Sequence, residues 1–558
     1  MDFEEFVRAL ALRNAVKHKG RASASALVGA VLAQFPEFRI QGSALLQKVQ
    51  DVVDQVNLLS LAEQEVVVQQ LGQAPVRERL QGLRPLEGVS EQGIVMRFAP
   101  SPSGALHIGH AYTLLLSALY VRRYGGRCIV RIEDTNPENI YPEAYHLIEE
   151  SARWITREGI SDVVVQSDRL ELYYDYASRA LEGGFAYVCT CDPEGFKVIS
   201  DARRECPCRS LSVQEQLARW AWMLKDAPQG SCVMRIKTDM AHKNPALRDF
   251  PAMRINTAEH PRAKTKYRVW PLMNFSVFVD DVEMGMTHII RAKDHADNAK
   301  KQAFLYAYFG KVEPRTQFVG KINFEGLPLS ASKTRQRIAA GEFSGWDDLR
   351  LPFLPALRRR GYQPEAFWRY TEEVGVTATD KTIPVEVFFK NLNAFNKAIV
   401  DPVADRFFVV ETPVRVPLQG AKDVQVSLDL HPGRKRGGRV FRIGEEILLD
   451  ARDWSALALG GLLRLKDTLT ARRVGDGLVM EGMGMDEARA HDLPIVHFLP
   501  VEDARACTLL YPDGSVCEGY CEAGVGALEP GVVFQAERKG FFRLEAKEPR
   551  PVLVFGHR

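Results

Sequence analysis

The stretch Arg97-Phe-Ala-Pro-Ser-Pro-Ser-Gly-Ala-Leu-His-Ile-Gly-His110 constrains the fold more than any other part of the chain. A short apolar run breaks at two prolines and a glycine, and Ala111–Tyr124 then holds neither Pro nor Gly. Ala111, Leu114, Leu115, Ala118 and Leu119 recur at helical spacing, so Leu106–Tyr124 is predicted to be a helix entered straight from the turn. Ile94–Phe98 before it and Cys128–Ile132 after it read as buried strands. A β-α-β unit of this length predicts a parallel sheet with a right-handed crossover, and ligands of such sheets sit at the carboxyl ends of the strands. Free N–H groups at a helix start, with the helix dipole, favour phosphate. Gly109 admits a flat ring against the backbone, while His107 and His110 can donate to phosphate oxygens as charge moves during a reaction. The bland alternative for an isolated His-x-x-His is a surface turn or a helix-start hydrogen bond.

Read in full, Phe-Ala-Pro-Ser-Pro-Ser-Gly-x-Leu-His-Ile-Gly-His-Ala resembles the HIGH signature of class I aminoacyl-tRNA synthetases, in its glutamyl and glutaminyl form. Met234-Arg-Ile-Lys-Thr-Asp-Met240, Asn244-Pro-Ala-Leu-Arg-Asp249, Met253-Arg-Ile255 and Asn393-Ala-Phe-Asn-Lys-Ala-Ile-Val-Asp401 extend the resemblance along the chain. It implies a multidomain α/β protein with a Rossmann-type parallel-sheet catalytic domain in two halves, 91–186 and 256–339, around an acceptor-binding insertion at 187–255. A helical extension occupies 1–90, a helical connector 340–400, and C-terminal β-barrels that read the anticodon 401–558.

The same resemblance implies the site. Pro100, Ser101, Gly104, His107, Gly109, His110 and Lys333 would contact ATP, with His107, His110, Ser332 and Lys333 acting in catalysis. Arg97, Ala99, Ser101, Glu133, Met273 and Arg291 would surround the amino acid, Glu133 on its ammonium and Arg97 on a carboxylate. Met273 stands where many relatives carry a tyrosine that touches the substrate side chain. Leu329-Ser-Ala-Ser-Lys333 resembles the second signature, KMSKS, with Ser330 in place of its first lysine, and a helix is expected from about Thr334. Arg291 in Gly285-Met-Thr-His-Ile-Ile-Arg-Ala-Lys-Asp-His295 resembles the glutamyl enzymes, whereas glutaminyl relatives have an uncharged residue there. Two arginines on one pocket favour a doubly carboxylated amino acid, since bidentate pairing rewards the second charge. An ion pair of Arg291 with Asp294 is the structural alternative.

Cys189-Thr-Cys191 and Cys206-Pro-Cys208 can supply four thiolates to one tetrahedral zinc, a structural site with no open position; chance proximity of buried thiols is the alternative. In a reducing compartment, close cysteine pairs suggest metal before disulfide.

At 558 residues the chain is long enough for about four domains. Hydrophobic residues make up 46% and charged residues 26%, and no apolar run approaches the roughly 18 residues of a membrane span, so a soluble protein without a membrane partner is expected. The acidic start Met-Asp-Phe-Glu-Glu-Phe lacks a charged-then-apolar leader, and cytoplasmic residence is expected. The 73 basic and 71 acidic side chains nearly cancel. Arg358-Arg359-Arg360 and Arg434-Lys435-Arg436, with Arg439 and Arg442, are clusters that would neutralise phosphates or form a solvated face. Strands over Arg406–Thr412, Val424–Leu430 and Ile495–Leu499, punctuated by Gly, Pro and Asp, argue for barrels.

The activity implied is ATP-dependent attachment of L-glutamate to tRNA through a glutamyl-adenylate, with ATP–magnesium as substrate and glutamate tRNA as partner; charging of glutamine tRNA is a further option. The alternatives are a glutaminyl enzyme, a small-substrate nucleotidyltransferase, and a catalytically silent tRNA-binding paralogue. Residues 1–90 would support tRNA, dock a protein partner or cap the fold.

Overall fold

The computed structural model describes residues 2–35, 38, 42–71, 82–327, 329–422, 424–434, 437–484 and 492–558. The chain divides into two units, Met1–Leu80 and Gln81–Arg558.

The first unit holds α1 (Phe3–Lys17), α2 (Ala24–Gln34), α3 (Gly42–Asn57) and α4 (Leu61–Gln70). Asp2 and Ser60 start α1 and α4 through reciprocal caps with Glu5 and Glu63, which satisfy two otherwise orphaned N–H groups each. Val7, Leu12, Val31, Val49 and Val53 form its core. The buried amide of Gln64 lies within hydrogen-bond distance of the Gly20, Val56 and Leu59 carbonyls and ties the connecting turns together. Helix was expected as far as residue 90; among the described residues it ends at Gln70, residues 82–90 contain none, and 72–81 lie outside the described set.

The second unit begins with β1 (Ile94–Phe98), α5 (Ile108–Tyr124), β2 (Gly126–Ile132), α6 (Ala144–Thr156), β3 (Asp162–Val165) and α7 (Leu170–Glu182). β1, β2 and β3 pair in parallel, in register Ile94↔Gly126 and Ile129↔Asp162. Leu114, Leu115 and Ala118 of α5 pack with Cys128, Val130 and Ile132 of β2 in one apolar core.

An antiparallel sheet follows: β4 (Ala186–Cys189), α8 (Pro193–Asp201), α9 (Val213–Lys225), β5 (Val233–Ile236), β6 (Pro251–Ile255) and β7 (Val269–Pro271), in strand order β4-β5-β6-β7. The insertion was expected to stop at 255. Instead β5 and β6 belong to the antiparallel sheet, which β7 completes at Pro271, with Trp270 buried in its core.

The chain then runs through α10 (Met273–Glu283), β8 (His288–Ala292), α11 (Ala296–Tyr308) and β9 (Arg315–Val319), with β8 and β9 parallel. β8 lies alongside β1: Thr287 donates its N–H to the Val95 carbonyl at 3.0 Å, and its Oγ1 accepts from the Val95 N–H at 2.9 Å. The carboxyl ends of β1 and β8 border one cavity. β10 (Ile322–Glu325), α12 (Ala331–Ala339), α13 (Leu354–Arg359), α14 (Pro364–Val374), β11 (Lys381–Pro384) and α15 (Val385–Val400) complete this part.

Beyond residue 400 the described residues form two seven-stranded sheets and a separate hairpin. The edge strands of one sheet are Arg406–Phe407 and Val409–Val410, separated by Phe408; those of the other are Ile495–Val496 and Leu499–Pro500. Edges that adjoin along the chain can be far apart across a sheet only if the sheet curls until they meet, which makes each a barrel. This also explains why Arg406–Thr412, expected as one strand, is broken at the fully buried Phe408.

The basic clusters are divided: Arg358, Arg434 and Arg442 are exposed, while Arg359, Arg360 and Arg439 turn to partners within the fold. Arg358 pairs with Glu150 at 2.9 Å, Arg359 with Glu545 at 2.9 Å, and Arg360 donates to the Gly556 carbonyl at 2.9 Å. Arg439, expected on a phosphate-facing surface, is 4% exposed and bound to Glu522 and Glu537 at 2.7 and 3.1 Å. Lys435 and Arg436 lie outside the described residues. No helix of the described residues is long and apolar enough to cross a membrane.

Candidate active site

The start of α5 shows why His107 and His110 stand three apart. His107 is in extended conformation at the N-cap, and its Nδ1 accepts from the N–H groups of Gly109 at 3.1 Å and His110 at 3.4 Å. His110 Nδ1 in turn accepts from the His107 N–H at 3.4 Å, a capping box built from two imidazoles. The Ile108 N–H goes to the Pro352 carbonyl at 3.2 Å. The expectation that free N–H groups of this helix meet phosphate is thus corrected: Ile108, Gly109 and His110 already have protein partners. What the turn offers instead is the far nitrogen of each ring. With each Nδ1 accepting, the neutral tautomer carries its proton on Nε2. Burial, reinforced by the charge of His110, holds His107 well below the usual imidazole range, and burial lowers His110 to about 4. Both are neutral donors near pH 7.

His107, Gly109 and His110 line a cavity of about 710 Å³ together with Arg97, Ala99, Glu133, Met273 and Arg291. Arg97 and Arg291 are the next-to-last residues of β1 and β8, and both line the cavity. Arg97 Nε is 3.5 Å from Asp281 Oδ1. Arg131, fully buried in β2, reaches Asp281 at 2.6 Å and Glu133 at 3.0 Å, which tethers Glu133 at the cavity edge. Neighbouring Asp280 accepts from Gln166, Arg169 and Tyr173, each at 2.8 Å. Arg291 differs from Arg97: among the described residues no carboxylate lies within ion-pair reach of it, and Asp294 pairs with Lys321 instead. Burial, then repulsion from Arg97, lowers Arg291 to about 10, leaving it cationic at neutral pH.

Five expected contacts do not line this cavity: Pro100, Ser101, Gly104, Ser332 and Lys333. The Pro100 carbonyl accepts from the Glu133 N–H at 2.9 Å and so joins β1 to the end of β2. Ser101 is exposed. Gly104 is covered by Trp346: a Cβ there would come within 2.3 Å of that indole. The second signature is helical earlier than expected, since α12 starts at Ala331, with Ser330 Oγ accepting the Lys333 N–H at 3.4 Å. Leu329 reaches the cavity wall while Ser332 and Lys333 are exposed on the first turn of α12. A Cβ on Gly104 would meet Ala331 at 3.1 Å, so the two signature segments are packed against each other.

Several contributors escaped the sequence reading. Asp280 and Asp281 close a largely apolar run and received no role of their own, and Arg131 sat inside a strand read as buried. A charge within a buried run costs several kcal/mol unless paired, and that was the available signal. Nothing in the sequence marked Gln302 or Lys321.

In the insertion, the Sγ atoms of Cys189, Cys191, Cys206 and Cys208 all lie within 4.8 Å of one another, with Cys206 3.6 Å from Cys189 and 3.4 Å from Cys191. Metal–sulfur bonds of about 2.3 Å in a tetrahedron put the sulfurs about 3.8 Å apart, so the donor set fits zinc.

A cavity at the carboxyl ends of parallel strands, lined by neutral imidazoles and two arginines, fits an α/β enzyme for anionic substrates. Residues 93–401 match the family described as tRNA synthetases class I (E and Q), catalytic domain, and residues 404–481 match the anti-codon binding domain of the same class. The chain belongs to the class I tRNA synthetases of the E and Q type. It is similar to the glutamate–tRNA ligase of Methanothermobacter thermautotrophicus, 41% identical over 100% of this chain and 99% of that protein. It is also similar to those of Methanothermobacter marburgensis (40%, with 100% of each covered) and Methanocaldococcus jannaschii (38%, with 98% of each covered).

Proposed function

We infer that this chain is a glutamate–tRNA ligase, activating L-glutamate with ATP and transferring it to tRNA. The observation that carries the reading is that Arg97 and Arg291 line one cavity together with Glu133 and the histidine-capped start of α5. Glutamate brings two carboxylates and one ammonium; the wall offers two guanidinium groups and one carboxylate. A glutaminyl enzyme would have no use for the uncompensated charge of Arg291.

In the first step the α-carboxylate of glutamate attacks the α-phosphorus of ATP and pyrophosphate leaves. In the second a terminal ribose hydroxyl of tRNA attacks the mixed anhydride and AMP leaves. No side-chain nucleophile is needed, and catalysis rests on positioning and on charge stabilisation. The Nε2–H groups of His107 and His110 are assigned to the phosphate oxygens, Glu133 to the ammonium, and Arg97 and Arg291 to the carboxylates. Lys333, on the first turn of α12, is assigned to the ATP phosphates, which it would meet if Leu329–Lys333 closed over the cavity. Magnesium carried by ATP would neutralise phosphate charge.

Cys189, Cys191, Cys206 and Cys208 would hold a structural zinc that stiffens the insertion, whose role is to grip the acceptor end of tRNA. The barrels would receive anticodon bases splayed from their stack. The site of action of such an enzyme is the cytoplasm.

Aminoacylation by the purified chain, with ATP and magnesium, of glutamate tRNA and glutamine tRNA by each amino acid tests this reading. Glutamate on glutamate tRNA is expected; glutamate on both tRNAs would make the enzyme a relaxed one. Glutamine charging, or tRNA binding with no charging, would overturn it.

A further inference from the structure

We propose that Gln302 is a positioning residue for substrate selection: its side-chain carbonyl holds the Arg291 guanidinium in place without neutralising it. The proposal rests on the glutamate reading above and names the device behind its selectivity. Gln302 lies on α11, is 3% exposed, and borders the same cavity. Its Oε1 accepts from Arg291 Nη1 at 2.9 Å. Arginine has only donors, so the amide cannot be turned the other way round. That bond uses one N–H of Nη1, and Nε is buried, so the remaining Nη hydrogens are those a ligand could meet.

The two arginines of the wall are balanced differently. Arg97 has Asp281, an acid that it shares with Arg131. Arg291 has a neutral amide. A glutamate at 302 would fill nearly the same volume and bind the guanidinium more tightly, and that ion pair would compete with the substrate for the charge. The same face of α11 adds no acid one turn on: the Tyr306 hydroxyl is buried there and, among the described residues, has no hydrogen-bond partner, as is the case for Gln302 Nε2. Arg291 therefore carries a buried cation that Asp281 attracts only from beyond ion-pair distance, and a ligand carboxylate would offset the rest of its desolvation. A substrate carboxamide offers no such charge, and its NH2 would meet further donors.

The test uses the full chain in steady-state aminoacylation of glutamate tRNA, with Gln302→Glu and Gln302→Met. For Gln302→Glu, KM for L-glutamate is expected to rise at least about tenfold, and the glutamate-over-glutamine ratio of kcat/KM to fall at least about tenfold, because the new carboxylate occupies the charge. KM for ATP and for tRNA should stay within about twofold. Gln302→Met keeps the charge and loses only the anchor, so its KM for glutamate should rise with a smaller change in the ratio. Wild-type ratio and glutamate KM in Gln302→Glu would overturn the proposal while leaving the ligase reading intact. So would a loss of kcat or thermal stability in both variants with the ratio unmoved, which marks mere packing. A wild-type protein that charges glutamine in preference to glutamate would overturn both.

Discussion

The imidazoles of His107 and His110 stack with ring centroids 3.8 Å apart and planes 17° from parallel, each Nδ1 accepting a backbone N–H of the same turn. One pair of side chains thus caps a helix and aims two Nε2–H donors at a cavity, so the structural and chemical roles can be separated by substitution.

Asparagine is a good N-cap and a poor substitute for an imidazole donor. His107→Asn should cost no more than about 1 kcal/mol of stability, while kcat for glutamate activation falls roughly 10²- to 10³-fold. Thermal unfolding and aminoacylation rates check this; a variant with wild-type kcat would reduce His107 to a cap.

Arg291→Gln removes the uncompensated charge. Losing a charge-assisted hydrogen bond of about 1.5–3 kcal/mol should lower kcat/KM for glutamate about 10- to 150-fold, mostly through KM. Unchanged glutamate KM would take the second carboxylate away from Arg291.

His110 and His497 are both lowered to about 4 by burial, from an ordinary value of 6.5. Between those values the unfolded chain binds more protons than the folded one. Stability from these groups is therefore complete above 6.5 and is lost as pH falls toward 4. The thermal midpoint should drop between about pH 7 and about pH 5; a flat profile over that window would mean that the two rings protonate normally in the folded chain.

Protein purified under reducing conditions should carry about one zinc per chain by elemental analysis. Cys206 is the sulfur closest to two others, so Cys206→Ser should release the ion and raise KM for tRNA more than KM for ATP. Metal content unaffected by the substitution would refute the site.

Gly104→Ala would drive a methyl group to 2.3 Å from Trp346 and 3.1 Å from Ala331. Overpacking of this kind costs about 1–3 kcal/mol, seen as a lower thermal midpoint. Because Ala331 begins the helix that carries Lys333, KM for ATP should rise as well.

The sequence by itself determined what neighbouring residues decide among themselves. The strand Ile94–Phe98 and the helix behind it, the His-x-x-His cap and the Cys-x-Cys pairs all concern groups a few positions apart, where chain geometry sets the distance. Local pattern also told barrels from helices beyond residue 400, because alternation and turn residues act at short range. Tertiary structure decided which charges are spent and which are available. Arg131 meets Asp281 across 150 positions, Arg439 meets Glu522 across 83, and both arginines are thereby neutralised inside the fold. Among the described residues Arg291 has Gln302 as its side-chain hydrogen-bond partner and no ion pair, and it keeps its charge for the cavity. Spacing along a chain carries no distance for such pairs, and electrostatic balance depends on distance, so the difference between a structural arginine and a selective one appears only once the strands are in place.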